Sequence, residues 1–406
     1  MIFSMIFEAQ LSNPTRERER NVIHECLEQA VLGEAAGFDR VWAVEHHCLE
    51  HYAHMSAPEI FLSYVAARTT RIRIGHGVVC VPFKYNHPIR VAERTAMLDI
   101  LSNGRIDVGM GRGATVQETA AFGIDPSETQ AQLEETLRML PHLWTDESFE
   151  WDSDLIKVPP RPILPKPVQS PHPPLFVACT KAPTLSMAGK YGVGALALGF
   201  AGPDDIKIKN DIYRAAIASR KPSDVVGHFA NDHFSALCPA IVLDDRDEAR
   251  KIGFRGQRFF VESIDHWARN GPLPTTTEET EDSEDALRAA GAAKAGAPSA
   301  QPPATRSSYL GSEKIEVALD VQHASGAHHY NMYQAYGNVN DCIAYVEQLQ
   351  EAGADEIMFL MQMGTVPHEV IMQSIRNIGE HVLPYFRNKE RNSSDRGEDR
   401  ATSWAS

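Results

Sequence analysis

The sequence has 406 residues, of which 43% are hydrophobic and 23% are charged, and its formal net charge is −15. This is the composition of a globular chain that can bury a large core, and the negative charge argues against nucleic acid or an anionic membrane as the main partner. The six cysteines show neither a CxxC pair nor zinc-finger spacing, so we expect free thiols in a reducing, cytoplasmic environment. We expect no signal peptide and no membrane-spanning segment.

Short apolar runs alternate with amphipathic stretches along the chain, which predicts repeated strand-then-helix units. The predicted strands are residues 2–8, 40–44, 72–81, 106–110, 175–178, 195–198, 234–243 and 356–361. The predicted helices are residues 21–36, 58–68, 88–101, 128–143, 184–190, 204–219, 246–268, 340–351 and 368–382. Such units form parallel strands with right-handed crossovers, in either a closed barrel or an open doubly wound sheet. Eight units in about 390 residues favour an α/β fold of the (β/α)8 TIM-barrel type.

Three segments depart from this rhythm. Residues 149–174 are rich in proline and are predicted to form an irregular surface excursion. Residues 271–308, in the strand-seven unit, are acidic and then rich in alanine and proline, so they cannot bury enough surface to order themselves. They are either a tolerated insertion or part of a mobile lid over the barrel mouth. The polar tail, residues 387–406, is expected to be disordered, which leaves residues 1–386 as the barrel domain.

Functional groups of a parallel barrel lie where its strands end, and strand two runs into Glu45, His46 and His47. Adjacent histidines of an extended chain point to opposite sides, so at most one of them faces the barrel axis. A histidine there could exchange protons near neutral pH, whereas a hydrogen-bonded structural histidine is the alternative. A metal site is disfavoured, because His51 and His54 complete a cluster that has neither HExxH nor facial-triad spacing.

A second candidate site follows strands four and five. Residues 109–113, GMGRG, do not match the dinucleotide fingerprint GxGxxG, but their glycines let a ligand approach the backbone. Arg112 offers a guanidinium for a phosphate, with a solvated arginine in a surface turn as the alternative. Thr180 and Thr184 lie where strand five turns into its helix, and they either complete a phosphate cradle or cap the helix.

Five blocks lie in a characteristic order across most of residues 1–386: GFDRVWAVEHH, IGHGVVCVP, HPIRVAERTAMLDILSNGRIDVGMGRG, PLFVACTKAPTLSMAGKYGVGAL and AGADEIMFLMQMGTVPHEVIMQSI. In order and spacing they resemble the luciferase-like flavin-dependent monooxygenases, of the bacterial luciferase type. The resemblance implies a (β/α)8 barrel with FMN in its mouth. It implies that Arg112, Thr180 and Thr184 hold the FMN phosphate.

The resemblance also implies a non-proline cis peptide between Gly77 and Val78, under the flavin, and places the catalytic histidine at His46. Gly111 stands where luciferases have a cysteine beside the flavin ring, and residues 83–86 form a longer loop. These departures indicate a relative with another substrate rather than a light-emitting enzyme.

The implied activity is that of a cytoplasmic oxidoreductase, a monooxygenase that uses reduced FMN and oxygen to oxygenate a small apolar organic substrate. Because no nicotinamide fingerprint is present, we expect a separate NAD(P)H:flavin reductase to supply the reduced FMN. We also expect a homodimer. Two alternatives remain: an F420-dependent oxidoreductase of the same barrel family, and a non-catalytic flavin-binding protein.

Overall fold

The protein is described here by a computed structural model that covers residues 1–269, 271–275 and 334–391. Its strands are β1 (Ile2–Phe7), β2 (Arg40–Ala43), β3 (Arg73–Cys80), β4 (Ile106–Gly111), β5 (Phe149–Asp152), β6 (Lys157–Arg161), β7 (Leu175–Cys179), β8 (Gly194–Ala197), β9 (Phe234–Val242), β10 (Ala335–Gly337) and β11 (Glu356–Leu360). Eight of them pair in parallel in the order β1-β2-β3-β4-β7-β8-β9-β11, and β11 pairs with β1. The sheet therefore closes into the predicted (β/α)8 TIM barrel, and the open-sheet alternative is wrong.

Helices separate the barrel strands: α1 (Arg16–Ala36), α2 (Pro58–Arg68), α3 (Pro88–Leu101), α4 (Val116–Ala121), α5 (Thr129–Thr145), α6 (Ala182–Tyr191), α7 (Pro203–Ser219), α8 (Arg246–Arg269), α9 (Val339–Glu351) and α10 (His368–Asn377). The bounds of α2 and α3 agree with the prediction, because each helix begins at a proline, whose fixed φ suits the first turn. Helix α1 begins earlier than predicted, since the Thr15 side chain accepts a hydrogen bond from Arg18 N and caps it there.

Three parts of the chain differ from the prediction or lie beyond the description. The excursion at residues 149–174 contains an antiparallel hairpin, in which β5 pairs with β6. The tail prediction was wrong for residues 387–391, which continue the C-terminal helix, and Arg387 Nη2 donates to Gly37 O at 2.5 Å. Most of the predicted insertion, from residue 276 to residue 308, and the tail from residue 392 lie outside the described residues.

A buried ionic cluster closes the N-terminal end of the barrel. Arg40 donates through Nε to Asp107 Oδ2 at 2.8 Å and through Nη1 to Glu356 Oε2 at 2.5 Å. Glu356 also accepts from Trp42 Nε1 at 2.8 Å and from His233 Nε2 at 2.7 Å. Neither carboxylate side chain is exposed to solvent. Because these residues lie near the starts of their strands, the cluster forms a floor and leaves the opposite end of the barrel as the mouth.

The Trp42 ring fills the barrel above this floor, and it needs a glycine beside it. A Cβ atom at Gly75 would lie 2.3 Å from the ring, so any other residue would displace the tryptophan. At the mouth, two glutamines join the first and last barrel strands. Gln10 N donates to Gln362 Oε1 at 2.8 Å, and Gln362 Nε2 donates to Gln10 O at 2.9 Å. The interior below the mouth is therefore packed, and the C-terminal ends of the strands are where active sites of such barrels lie.

All six cysteines are free thiols, as predicted. Within residues 1–275 and 334–391, as far as they are described, no helix combines the length and the apolar character needed to cross a membrane.

Candidate active site

His46 lies at the barrel mouth between two carboxyl groups. Its Nδ1 atom lies 2.9 Å from Glu118 Oε1, and its Nε2 atom lies 3.9 Å from Glu8 Oε2. Because an ionised carboxylate only accepts hydrogen bonds, His46 carries a proton on Nδ1 and directs Nε2 toward the interior. The ring is therefore fixed in orientation, while the nitrogen that can exchange a proton remains available.

Glu118 is placed by the start of α4. Thr115 and Glu118 form a capping box, in which Thr115 Oγ1 accepts from Glu118 N at 3.2 Å and Thr115 N donates to Glu118 Oε2 at 3.0 Å. The second carboxylate oxygen accepts from the ring of His46 and, at 3.1 Å, from His47 N. The Glu118 side chain thus caps the start of α4, after the loop that follows β4, and also orients His46, which follows β2.

The contact between His46 and Glu118 determines the charge of each. Burial alone raises the pKa of Glu118, but the hydrogen bond from His46 and the backbone amides outweigh it and lower the pKa below the ordinary value. Burial alone lowers the pKa of His46, but the hydrogen bond to Glu118 and the charge of Glu8 outweigh it and raise the pKa. Glu118 is therefore a carboxylate at neutral pH, and the pKa of His46 lies above the ordinary value of histidine.

An aromatic wall extends from His46 across the mouth. The Tyr52 ring meets His46 edge-on with ring centroids 4.9 Å apart, and it packs against Phe260 of α8 at 5.5 Å. Phe260 in turn contacts Phe200, which follows β8, at 5.1 Å. Helix α8 contacts both β9 and α4, which belong to units three strands apart in the barrel, so it bridges this part of the mouth. The wall excludes water from one side of His46.

His47 has a different environment, as the opposite orientations of adjacent side chains predicted. Its Nε2 lies 3.0 Å from Glu45 Oε1, and its ring stacks on Tyr85 at 5.6 Å. Glu45 also accepts from Cys80 N at 2.7 Å and from Asn86 Nδ2 at 2.9 Å, so this group ties the ends of β2 and β3 together. His47 is therefore a structural histidine of the mouth.

The other histidines of the predicted cluster do not converge on one point. His54 Nδ1 lies 3.2 Å from Ala9 O, and its Nε2 lies 3.7 Å from Glu19. Within the ranges that the structure describes, no three His, Cys, Asp or Glu side chains are grouped as metal ligands.

The predicted phosphate residues follow adjacent strands. Met110 of β4 is paired with Val177 of β7, so Arg112 and Thr180 lie just beyond neighbouring strand ends. Arg112 is half-buried, and no described residue forms a hydrogen bond or an ion pair with its guanidinium. A half-buried arginine without a partner fits an anion at this position. The segment from Arg112 to Glu118 also connects this position with His46.

The start of α6 adds donors beside Arg112. Lys181 is the N-cap residue and no side chain caps the helix, so the capping alternative for Thr180 and Thr184 is wrong. The amides of Ala182 and Thr184 are in the first turn, where no intrahelical acceptor exists. A phosphate group fits these donors, because a helix N-terminus and a guanidinium both favour negative charge.

The peptide bond between Gly77 and Val78 is cis, as the resemblance implied. The Val78 side chain packs over the glycines of β4. A Cβ atom at Gly111 would lie 2.3 Å from Val78 Cγ2, so the valine fills the space that a side chain at position 111 would need. This packing is the physical reason for a glycine here, and the role of Gly77 and Val78 in holding a cofactor remains a prediction.

Three groups of this site were missed by the sequence analysis: Glu8, Tyr52 and Glu118. A signal for Glu118 is present, since Thr115-Val116-Gln117-Glu118 has the Thr-x-x-Glu spacing of a capping box. Glu8 ends the first predicted strand, where a charged side chain in an apolar run indicates the mouth. Nothing in the sequence indicates that Tyr52 contacts His46, because that contact depends on the tertiary fold.

Comparison with curated proteins finds relatives with different cofactors. The chain is 34% identical over 175 residues to 4-hydroxyprotoasukamycin monooxygenase of Streptomyces nodosus subsp. asukaensis, covering 43% of this chain and 46% of that protein. It is 30% identical over 165 residues to the oxygenase component of flavin-dependent trigonelline monooxygenase of Acinetobacter baylyi, covering 40% and 45%. It is 32% identical over 250 residues to F420-dependent hydroxymycolic acid dehydrogenase of Mycobacterium tuberculosis, covering 59% and 64%. The first two matches span about half of those relatives.

Solved structures share the fold over their full length. A monooxygenase from Streptomyces bottropensis matches with a TM-score of 0.69 and 24% identity, covering 95% of this chain and 100% of that one. The oxygenating constituent of 3,6-diketocamphane monooxygenase of Pseudomonas putida, in complex with FMN, matches with a TM-score of 0.66 and 17% identity, covering 95% and 98%. The family model of the luciferase-like monooxygenases matches residues 1–356, nearly all of the barrel, and the chain therefore belongs to that family.

Proposed function

We propose that this protein is a flavin-dependent monooxygenase that uses reduced FMN and oxygen to oxygenate a small, largely apolar organic substrate. The proposal rests on one observation: an arginine unpaired within the described ranges and an oriented histidine lie at the same end of the barrel. Arg112, without a partner among the described residues, begins the segment that ends at Glu118, which orients His46. An anion-binding position and an oriented proton-exchanging group at the same strand ends suit a phosphate-bearing redox cofactor beside a reacting substrate.

The residues have separable tasks in this proposal. Arg112, Thr180, Thr184 and the first amides of α6 would hold the FMN phosphate. Reduced FMN, when bound, supplies the electrons that activate oxygen. His46 holds or moves a proton through Nε2, because Glu118 already occupies Nδ1. The wall that includes Phe260 excludes water, which would otherwise compete with the substrate.

Anaerobic titration with photoreduced FMN tests the cofactor. We expect saturable binding of reduced FMN that is tighter than the binding of reduced F420. Tighter binding of F420 would contradict the proposal and support the F420-dependent alternative, which the relative from Mycobacterium tuberculosis keeps open. Oxygen consumption with reduced FMN across aldehydes, ketones, aromatics and terpenes then separates an enzyme from a flavin-binding protein without turnover.

Arg112→Ala should weaken the binding of reduced FMN about 10- to 100-fold, because a charge-assisted hydrogen bond contributes roughly 1.5–3 kcal/mol. Reduced riboflavin lacks the phosphate, so its affinity should not change. Isothermal titration of both flavins measures the difference, and Arg90→Ala, an exposed arginine on α3, is the matched control. Equal losses for FMN and riboflavin would show that Arg112 does not bind the phosphate.

We also propose a cytoplasmic location and a separate NAD(P)H:flavin reductase as partner. The free thiols suit a reducing compartment. The trigonelline relative is named as an oxygenase component, which supports a system of two proteins.

An exposed apolar patch supports the expected homodimer. Helices α2 and α3 pack side by side, and Ile60, Tyr64, Met97 and Leu101 on them are each more than half exposed. Exposed apolar side chains on two neighbouring helices are typical of interaction sites. Tyr64→Arg should convert a dimer into a monomer in sedimentation equilibrium, whereas Leu155→Arg, on the β5–β6 hairpin, should not. A monomeric wild-type protein would contradict the proposal.

A further inference from the structure

Glu8, directly after β1, is a buried acid that the mechanism above does not use. Its exposed fraction is 6%, and its Oε2 atom has no hydrogen-bond partner within the described residues. The 3.9 Å between this atom and His46 Nε2 is longer than a hydrogen bond. Buried carboxyl oxygens are normally hydrogen-bonded, because burial removes the water that would solvate them. Glu8 Oε2 therefore lies beside His46 without a hydrogen-bond partner among the described residues.

Three ionisable groups face Glu8 from neighbouring elements: His46 after β2, Tyr52 in the following loop and Glu118 of α4. Burial raises the pKa of Glu8 to about 7, with His46 opposing and the charge of Glu118 reinforcing the rise. Burial and the two carboxylates raise the pKa of Tyr52, so its phenol stays neutral. Glu8 therefore changes its charge near neutral pH, whereas Glu118 does not.

We propose that Glu8 is a second proton-exchanging residue of this site and that its carboxylate binds an O–H or N–H group of the substrate. The proposal rests on the proposed function and narrows its substrate class. Glu118 occupies one nitrogen of His46, so the other nitrogen and Glu8 form two adjacent positions for a proton. The rings of Tyr52 and Phe260 are both buried and pack on each other, so the surroundings of these positions are apolar. A buried carboxyl group among apolar rings suits an aromatic or otherwise apolar molecule that carries one acidic donor, such as a phenol.

The proton balance of this step is simple. The O–H bond of the substrate breaks, an O–H bond to Glu8 forms, and the substrate becomes an anion while Glu8 becomes neutral. No electrons are exchanged with the protein. The resulting phenolate is more electron-rich than the phenol, so its ring carbons react more readily with an electrophilic oxygen donor. His46 Nε2, 3.9 Å from Glu8 Oε2, can take up this proton when His46 is in its neutral form.

Infrared titration of the purified protein tests the carboxyl group without flavin or substrate. We expect a protonated-acid carbonyl band that disappears as the pH rises through about 7 and that is absent from Glu8→Gln. Glu147→Gln, which changes an exposed carboxylate after α5, should retain the band. A wild-type protein without such a band would overturn the proposal, because Glu8 would then be an ordinary carboxylate.

Binding of phenol and anisole tests the substrate class, since a methyl group in anisole replaces the donated hydrogen. Wild-type protein should bind phenol about 10-fold more tightly than anisole above pH ~7, with a smaller ratio below pH ~5, where Glu8 is neutral. Glu8→Gln should reduce the ratio and remove its pH dependence, and Glu8→Asp should restore part of both. Equal affinities, or no binding of phenol, would overturn the substrate class.

These outcomes are separate from the test of the proposed function. Both experiments are performed without flavin, whereas the proposed function depends on the binding of reduced FMN. Reduced FMN could bind and oxygen be consumed while Glu8 is ionised at every pH and the protein binds phenol no more tightly than anisole. That result contradicts only the role of Glu8.

Discussion

Replacing His46 by alanine is expected to lower coupled oxygenation about 10²- to 10⁴-fold, the usual contribution of a positioned acid or base. Affinity for reduced FMN should stay nearly unchanged, because the predicted phosphate ligands belong to the ends of β4 and β7. Oxygen should still be consumed, with hydrogen peroxide in place of oxygenated product. Product formed per oxygen consumed is the measurement, and His24→Ala, an exposed histidine on α1, is the control. A His46→Ala protein that oxygenates at the parental rate would exclude this role.

Glu118→Gln distinguishes orientation of His46 from direct chemistry. The amide keeps the shape of the side chain but lacks the charge that raises the pKa of His46. The pKa of His46 should therefore fall, and the pH profile of oxygenation should move in the same direction. NMR titration of the His46 ring measures the first effect. An unchanged histidine titration would show that Glu118 only caps α4.

Replacing Glu356 by leucine is expected to destabilise the fold by about 3–5 kcal/mol, because it leaves the buried Arg40 with only one of its two carboxylate partners and removes the acceptor of Trp42 and His233. Urea unfolding measures the loss. Asp152→Ala, which breaks the exposed pair with Lys157, should cost only about 0–1 kcal/mol. A loss at Glu356 as small as that of the exposed pair would mean that the floor cluster does not stabilise the barrel.

The wild-type protein offers a second test of the same cluster, should the variant fail to fold. Burial alone raises the pKa of Glu356, but Arg40 and His233 outweigh it and hold the pKa well below the ordinary value. A depressed carboxyl pKa contributes stability above the unfolded-state pKa of about 4.3, and this contribution is lost as the pH falls toward the folded-state value. The free energy of unfolding should therefore decrease steadily with acid below pH ~5.

The barrel strands could be predicted from the sequence because each is a short apolar run bounded by turn residues. The β5–β6 hairpin could not, since Pro159 and Pro160 lie in β6, and proline is tolerated only on edge strands such as these. Helix α4 was missed because its six residues are too few to show an apolar period. The candidate site was likewise only partly predictable. His46 and Arg112 could be found because they follow predicted strands, whereas the contact of Glu118 with His46 exists only in the folded barrel.

The seam between β1 and β11 has a consequence for how the protein is made. The two strands pair at Ile2 and Glu356, about 350 residues apart along the chain. At a synthesis rate of about 5–20 residues per second, β1 waits roughly 20–70 s for the strand that completes the barrel. During that time a hydrophobic strand has an unpaired edge, the condition under which nascent chains aggregate. Production in a cell should therefore depend on chaperone capacity more strongly than the stability of the finished barrel suggests.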